Sequence, residues 1–181
     1  MTTHHTPGRI AWDVVETPIG PLTVEAGERG LTGLSFPGRG PARHWEHRDP
    51  VALDDATAAL AEYFAGERRS FSDLTLDLSE RPLERAVWRA LREIPYGETV
   101  SYGELACTVG RPDIVRAVAA AVGRTPVPIV IPCHRVIGAD GSLTGYGGGL
   151  QRKQALLDLE RRTLLGLAPE PAWAFRQLAL L

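Results

Sequence analysis

Cysteine is scarce in this sequence, which contains only Cys107 and Cys133. Two cysteines are too few for the disulfide framework that stabilises small secreted domains, so we exclude that class and expect two free thiols. Four of the five histidines lie in polar, turn-like segments that favour a solvated side chain: His4, His5, His44 and His47. The histidines and cysteines do not have the spacing of a zinc site. We therefore expect no metal and no cofactor.

Long apolar runs are also missing, because no stretch approaches the roughly 18 to 20 apolar residues that span a bilayer. The first ten residues, MTTHHTPGRI, lack the apolar core of a signal peptide. We therefore expect no membrane association and a cytoplasmic location. Hydrophobic residues make up 44% of the 181 residues and charged residues 23%, which is typical of one or two compact globular domains.

A strong excess of charge is absent, since the formal net charge is -2. The two halves differ, however. Residues 1–80 contain 7 arginines and 13 acidic residues, whereas residues 81–181 contain 13 basic and 9 acidic residues. The total charge argues against non-specific coating of nucleic acid, and any DNA contact is expected in the second half. The positive excess there is equally typical of an ordinary solvated surface.

The first half has the pattern of a small mixed domain. Short apolar stretches divided by glycine and proline predict an antiparallel sheet from Ile10 to Phe36. Pro37 to Pro50 lacks periodicity and predicts an exposed loop. Val51 to Gly66 has apolar residues at helical spacing, and the LTLDL segment at 74–78 predicts a further strand.

The second half begins with three predicted helices. Leu83 to Ile94 is amphipathic and predicts the first helix. Ser101 is placed to cap a second helix from Tyr102 to Val109, and Asp113 to cap a third that runs to about Val122. The four-residue turn GRPD between the last two helices predicts a helix-turn-helix, although many unrelated helix pairs share such a turn.

The segment IVIPCHRV contains the strongest chemical signal. Its apolar residues 129–131 predict a strand that breaks at Pro132, directly before Cys133. A buried cysteine at a strand end is usually inert packing. His134 could nevertheless lower the thiol pKa or take its proton, through the turn or a bridging water, and a carboxylate behind the histidine would complete such a relay.

The motifs PCHRVIG and GYGGG closely resemble the O6-alkylguanine-DNA alkyltransferases, which are the methylated-DNA–protein-cysteine methyltransferases. The match extends from Val87 to Glu160 through VW, IPYGETVSYGELA, RAV, PVPIVIPCHRVIG, LTGYGGG and LLDLE, and only loosely into the first half through TPIGPLTV and YFAGE. The resemblance implies an α+β fold, with a small N-terminal ribonuclease-H-like α/β scaffold before a winged-helix-type, helix-turn-helix alkyltransferase domain. We predict domains at residues 1–80 and 81–165, and a tail of unknown role at 166–181.

The resemblance also implies a reaction. Cys133 corresponds to the residue that takes the alkyl group from O6-methylguanine in DNA, once per molecule, with O4-methylthymine as a minor substrate. His134, through a water, and Glu160 correspond to the relay that produces the thiolate. Tyr102 corresponds to the tyrosine that protonates the departing guanine and helps to turn the nucleotide out of the stack.

The partner implied by the resemblance is duplex DNA, bound by a monomer through the minor groove. Arg116 corresponds to the arginine that enters the space left by the flipped base. We predict further DNA contacts at Ala117, Ala121, Ser101 and Thr99. Packing against another helix is the alternative role for the small residues on the Arg116 helix.

The predicted base pocket comprises Val136, Tyr146, Gly147 and Gly148, in which Tyr146 stacks on the O6-alkylguanine base and the Gly147 N–H reaches O6.

Thr125 occupies a hinge position where the family usually has asparagine. A threonine has fewer donors and a shorter reach, so we expect it to hold the Cys133 loop less firmly. Ala119, in the place of a family glycine, is a second departure.

Two other functions remain open at this point. The alkyltransferase-like relatives bind damaged DNA without repairing it, but they lack the acceptor cysteine that this chain has at Cys133. A Cys-His hydrolase would need an acyl site and an oxyanion hole, and only the CHR triplet points in that direction.

Overall fold

The structure is a computed structural model that describes residues 10–37 and 48–169. Three predictions lie wholly or largely outside these residues: the solvated state of His4, His5, His44 and His47, the loop Pro37–Pro50, and the tail 166–181. Below, residues 10–80 are called the N-terminal unit and residues 81–169 the C-terminal unit.

The N-terminal unit contains the predicted antiparallel sheet. Its strands, in the order β1-β2-β3, are β1 (Ala11–Val15), β2 (Leu22–Gly27) and β3 (Gly30–Ser35). A short 3-10 turn at Val51–Leu53 leads into helix α1 (Asp54–Phe64), which confirms the predicted helix with slightly shorter bounds. The inner sides of β2 and β3 and one side of α1 are buried together in the first core cluster.

The predicted strand at 74–78 is wrong in extent, because only Leu76 forms a bridge, parallel to Leu31. Two backbone hydrogen bonds hold it, from Leu31 N to Thr75 O at 2.9 Å and from Asp77 N to Leu31 O at 2.8 Å. A turn at 71–74 precedes this point, so the chain meets the edge of β3 only briefly on its way to the C-terminal unit.

The C-terminal unit contains the three predicted helices, α2 (Pro82–Arg92), α3 (Tyr102–Thr108) and α4 (Val115–Gly123). The predicted cap at Ser101 is confirmed. Its Oγ accepts a hydrogen bond from Glu104 N at 3.2 Å, and the Glu104 carboxylate accepts one from Ser101 N at 2.7 Å. This reciprocal pair satisfies two backbone donors at the start of α3.

Asp113 does not cap α4, so that prediction is wrong. Helix α4 starts only at Val115, after a 3-10 turn at Pro112–Ile114, and no side chain caps it. The Asp113 carboxylate instead accepts two hydrogen bonds, both of 3.1 Å, from the guanidinium of Arg111. A charged, two-point partner two residues away therefore competes successfully with the helix N–H groups.

The predicted strand at 129–131 is also wrong, because the chain makes a tight turn there. Ile129 adopts a positive φ of 76°, and Ile131 N donates to Val127 O at 2.9 Å. Three prolines flank the turn at positions 126, 128 and 132, and none has the N–H that a ladder requires. The turn is followed by a 3-10 turn at Cys133–Arg135 and by β5 (Val136–Ile137), which pairs in parallel with β4 (Val100–Ser101).

Helix α5 (Leu150–Leu164) lies between the two units. Its residues Ala155, Leu156 and Leu159 belong to the first core cluster, whereas a second cluster joins α2, α3 and α4 with Cys133 and Val136. The α+β fold, with a small N-terminal sheet and a helical C-terminal unit, is as predicted. Within residues 10–37 and 48–169, none of the helices is both long and apolar enough to cross a membrane.

Candidate active site

Cys133 lies at the wall of a small cavity between the two units. Its side chain is buried at the start of the 3-10 turn, where Pro132 ends the preceding segment. The cavity has a volume of about 170 Å³. Besides Cys133 it is lined by Leu34, Ser35, Phe36, Val122, Gly123, Thr125, Pro128, Gly145, Tyr146 and Gly147.

His134 and Glu160 form a buried pair behind Cys133. The His134 Nε2 lies 2.8 Å from the Glu160 Oε1, and both side chains are fully buried. Glu160 also accepts hydrogen bonds from the Tyr63 hydroxyl at 2.8 Å, Arg135 Nη2 at 2.8 Å and Gly97 N at 2.9 Å. Burial alone would raise the pKa of Glu160, but its contacts with His134 and Arg135 outweigh burial and hold the pKa at about 2.

The charge on Glu160 determines which nitrogen of His134 carries the hydrogen. An ionised carboxylate only accepts hydrogen bonds, so Nε2 must be the donor. Burial lowers the pKa of His134, and the ring is therefore neutral with its lone pair on Nδ1. Among the described residues, Nδ1 is buried and has no hydrogen-bond partner. His134 is thus arranged as a base.

The Cys133 thiol is protonated at neutral pH. Burial raises its pKa to about 11, although a hydrogen bond with the Thr125 hydroxyl and the charge of Lys153 act in the opposite direction. The Lys153 side chain is buried, and its Nζ donates to the carbonyls of Val136 and Thr144. A nucleophilic thiolate therefore has to be made by proton removal when a substrate is present.

Thr125 connects the end of α4 to the cysteine. Its hydroxyl donates to Val122 O at 2.8 Å, in the last turn of the helix. Thr125 also lines the same cavity as Cys133 and lowers the pKa of its thiol. A contact that lowers the thiol pKa favours the thiolate over the neutral thiol. Thr125 thus lies between the end of α4 and the cysteine, and its weaker hold on the Cys133 loop stays a prediction.

Helix α4 exposes Arg116 and leaves Ala117 and Ala119 half-buried. The prediction that Ala121 contacts DNA is wrong, because its side chain is fully buried in the second core cluster. Ala121 follows Val118 by three residues, which places both on the inner side of the helix. Its carbonyl accepts a hydrogen bond of 2.9 Å from the indole nitrogen of Trp88.

The other DNA-contact candidates lie around the start of α3. Thr99 is exposed, and the Ser101 hydroxyl is engaged in the cap of α3. Tyr102 is half-buried as the first residue of α3, and its hydroxyl lies beside Gly145 at the rim of the cavity. Gly145 lines the same cavity as Cys133, whereas Tyr102 itself is not among the lining residues.

The predicted base-pocket residues divide into two groups. Tyr146 and Gly147 line the cavity, and the Tyr146 hydroxyl is buried without a hydrogen-bond partner among the described residues. Val136 and Gly148 are buried but are not among the lining residues. Val136 accepts a hydrogen bond from Lys153, and Gly148 packs against the ring of Phe36.

Comparisons with known proteins match both units. Residues 10–78 match the 6-O-methylguanine DNA methyltransferase ribonuclease-like domain, and residues 82–162 match the DNA binding domain of the same family. The chain is 51% identical over 155 residues to the methylated-DNA–protein-cysteine methyltransferase of Mycolicibacterium paratuberculosis, covering 84% of this chain and 93% of the relative. The chain belongs to the 6-O-methylguanine DNA methyltransferase family. The resemblance seen in the sequence motifs is thereby confirmed.

Two further relatives agree with this membership of the methyltransferase family. The methylated-DNA–protein-cysteine methyltransferase of Methanosarcina barkeri is 44% identical over 157 residues, covering 84% of this chain and 98% of that protein. A crystal structure of Mycobacterium tuberculosis OGT in complex with DNA has a TM-score of 0.79 and 49% identity, covering 84% of this chain and 94% of that chain.

In this methyltransferase, sequence reasoning missed several residues that hold the site together, namely Phe36, Tyr63, Arg135 and Lys153. Lys153 had a usable signal, because it is the only lysine among 20 basic residues. Arg135 adjoins the Cys-His pair and could have been assigned to the carboxylate. Tyr63 lies in the YFAGE segment, but nothing there links it to Glu160, and Phe36 had no signal; both come from the distant N-terminal unit.

Proposed function

We propose that this protein repairs alkylated duplex DNA by moving the methyl group of O6-methylguanine onto Cys133. The observation that carries the proposal is the buried Cys133, His134 and Glu160 arrangement at the wall of a cavity, in a member of this family. A neutral histidine held by a carboxylate is suited to removing the thiol proton, which the high thiol pKa makes necessary.

The proposed reaction is a single displacement. The Cys133 proton passes to Nδ1 of His134 through a bridging water, and Glu160 stabilises the imidazolium. The thiolate attacks the methyl carbon, so that a sulfur–carbon bond forms as the carbon–O6 bond breaks. Tyr102 gives a proton to the departing guanine and regains one from the imidazolium through solvent. The thioether is stable, and each molecule therefore reacts once.

The proposed DNA contact uses the exposed side of α4 and the start of α3. In this proposal the exposed Arg116 fills the position of the flipped base, Ala117 approaches the floor of the minor groove, and Thr99 and Ser101 contact the adjacent phosphates. A flipped base would bring its O6 to the cavity that Tyr146 lines. O4-methylthymine presents a similar alkyl ether and is proposed as a minor substrate. One chain supplies all of these groups, so we propose that the protein acts as a monomer.

Mass spectrometry of the intact protein tests the proposal after incubation with a duplex that carries O6-methylguanine. We expect a gain of one methyl group per molecule, mapped to Cys133. Cys133→Ser should bind the duplex without gaining mass, and Cys107→Ser should behave as wild type, because Cys107 is an exposed thiol outside the cavity. Binding without any methyl gain would favour the binding-only function instead.

A further inference from the structure

The N-terminal unit contributes directly to the cavity that contains Cys133. Leu34, Ser35 and Phe36, at the end of β3, line it together with the cysteine. The end of this strand is fixed to the segment before Cys133, because Leu34 N donates to Pro126 O at 2.9 Å. The position of Phe36 relative to Cys133 is therefore determined by backbone hydrogen bonding as well as by packing.

Phe36 also supports the segment from Tyr146 to Gly148, of which Tyr146 and Gly147 line the same cavity. Its buried ring contacts Tyr146 edge to face, with a centroid separation of 5.6 Å and an interplanar angle of 65°. The approach to Gly148 is close, since a Cβ atom at that position would lie 2.8 Å from the Phe36 ring. Only glycine therefore lets the segment lie this near to the ring.

Arg152 closes the arrangement from the outside. Its guanidinium lies 5.6 Å from the centroid of the Phe36 ring, within the range of a cation–π contact. The same side chain donates to Gly148 O at 2.9 Å and to Ile19 O at 2.8 Å. One arginine thus holds the Gly148 segment, the Phe36 ring and the N-terminal unit in a fixed relation.

We propose that Phe36 is a specificity-determining residue, which sets the position of Tyr146 and so limits the size of the alkyl group that Cys133 can receive. This inference rests on the proposed transfer to Cys133. With Phe36 in place, Tyr146 cannot retreat towards β3, and the space in the cavity between Tyr146 and Cys133 stays small. A smaller side chain at position 36 gives Tyr146 room to withdraw and a bulky alkyl group room to enter.

The expected signature is a change in selectivity. Phe36→Ala should slow transfer of a methyl group severalfold, because Tyr146 and Gly147 are held less firmly. It should raise the rate for a benzyl group relative to methyl by about tenfold, the scale on which apolar pockets discriminate by size. Phe36→Leu, which keeps more of the volume, should change the ratio in the same direction by a smaller factor.

The experiment measures single-turnover transfer from O6-methylguanine and from O6-benzylguanine in the same duplex sequence. Leu31→Ala is the matched control, because Leu31 is a buried residue of β3, the strand that ends just before Phe36, and belongs to the same core cluster but lies outside the cavity. It should lower the free energy of unfolding and leave the benzyl-to-methyl ratio unchanged. If Phe36→Ala does not fold, Phe36→Leu supplies the comparison.

The outcomes separate this inference from the proposed function. An unchanged ratio in the Phe36 variants, with wild-type transfer intact, would overturn the role of Phe36 alone. An equal loss with both substrates would do the same, since it would mean that the ring matters only for stability. No transfer by the wild type from either substrate would overturn the proposed function together with the inference that depends on it.

Discussion

The two units of this protein contribute to one site in different ways. The C-terminal unit supplies the groups proposed to react, Cys133 and His134, next to each other in the chain. The N-terminal unit supplies no reacting group. Its Tyr63 hydroxyl nevertheless donates a hydrogen bond to the Glu160 carboxylate behind the histidine, and its Phe36 forms part of the cavity wall. The contrast shows that a scaffold can act on a reaction by fixing positions and charges.

The carboxylate of Glu160 is where the two contributions meet. Its helix packs into the first core cluster, while its side chain binds His134 and Arg135 of the C-terminal unit and Tyr63 of the N-terminal unit. Substitutions in the C-terminal unit should therefore change the transfer reaction itself, whereas substitutions in the N-terminal unit should change how the reacting groups are held.

The largest effect is expected for Glu160→Gln. The neutral amide cannot stabilise the imidazolium, so transfer should fall by about a hundredfold or more. The Arg135 guanidinium would lose its buried partner, which should cost about 3–5 kcal/mol of unfolding free energy. Single-turnover transfer and urea unfolding measure the two effects. Asp158→Asn is the control on the exposed side of α5, and near-wild-type transfer by Glu160→Gln would contradict the proposed relay.

Arg116→Ala should separate DNA contact from chemistry within the C-terminal unit. Loss of the group that replaces the flipped base should slow repair of duplex DNA by about tenfold or more. Reaction with free O6-benzylguanine should stay unchanged if that base is accepted. Arg89→Ala removes an equal charge from the exposed surface of α2 and serves as the control. Equal slowing with both substrates would argue against the role of Arg116.

Tyr63→Phe measures what the N-terminal unit gives to the relay. The ring stays in the core while Glu160 loses one of its donors, so unfolding free energy should fall by about 1–3 kcal/mol. Transfer should slow severalfold, because the remaining contacts still hold the carboxylate. Kinetics at saturating protein would show the loss. A wild-type rate would mean that this unit acts on the site only through Phe36.

Thr125→Val tests the link between α4 and the cysteine at constant side-chain shape. Loss of the hydroxyl should remove the contact that lowers the thiol pKa and slow transfer by roughly fivefold, the scale of one hydrogen bond. Thr125→Ser keeps the hydroxyl and should retain most of the rate. If valine and serine slow the reaction equally, packing by the Thr125 methyl group is what matters.

The last effect concerns stability at acidic pH and needs no substitution. Burial lowers the pKa of His134 from 6.5, and the pKa of Glu160 falls from 4.5 to about 2. For both groups the unfolded chain binds more protons at low pH, so their stability is present above the unfolded values and lost as pH falls. Unfolding free energy should start to decrease below pH 6.5, by on the order of 1 kcal/mol per pH unit for each titrating group. Urea unfolding from neutral pH to about pH 4 checks this, and a flat profile would contradict it.

Local sequence patterns predicted the local features of the fold. The sequence predicted the antiparallel sheet, the cap at Ser101 and the adjacent Cys133 and His134, because each of these features depends on residues close together in the chain. The errors occurred where another partner or proline intervened. Arg111 takes the Asp113 carboxylate, and the prolines around Ile129 prevent the predicted strand.

Contacts between distant segments could not be predicted in the same way. Tyr63 and Glu160 are separated by 97 residues, and nothing near either one indicates the other. Ala121 shows a related limit, since a run of alanines gives no hydrophobic contrast from which the buried side of a helix could be read. Such assignments depend on how the units pack together.

The burial of Lys153 leaves the folded surface without a lysine side chain, because the sequence contains no other. Every positive side chain that reaches solvent at neutral pH is therefore a guanidinium, apart from any protonated histidine, and keeps its charge well into alkaline solution. Amine-reactive labels will find no side-chain amine on the intact protein. Labelling of Lys153 would thus report opening of the segment that bears Val136 and Thr144. The labelling rate would measure how often this segment, which follows Cys133 in the chain, opens.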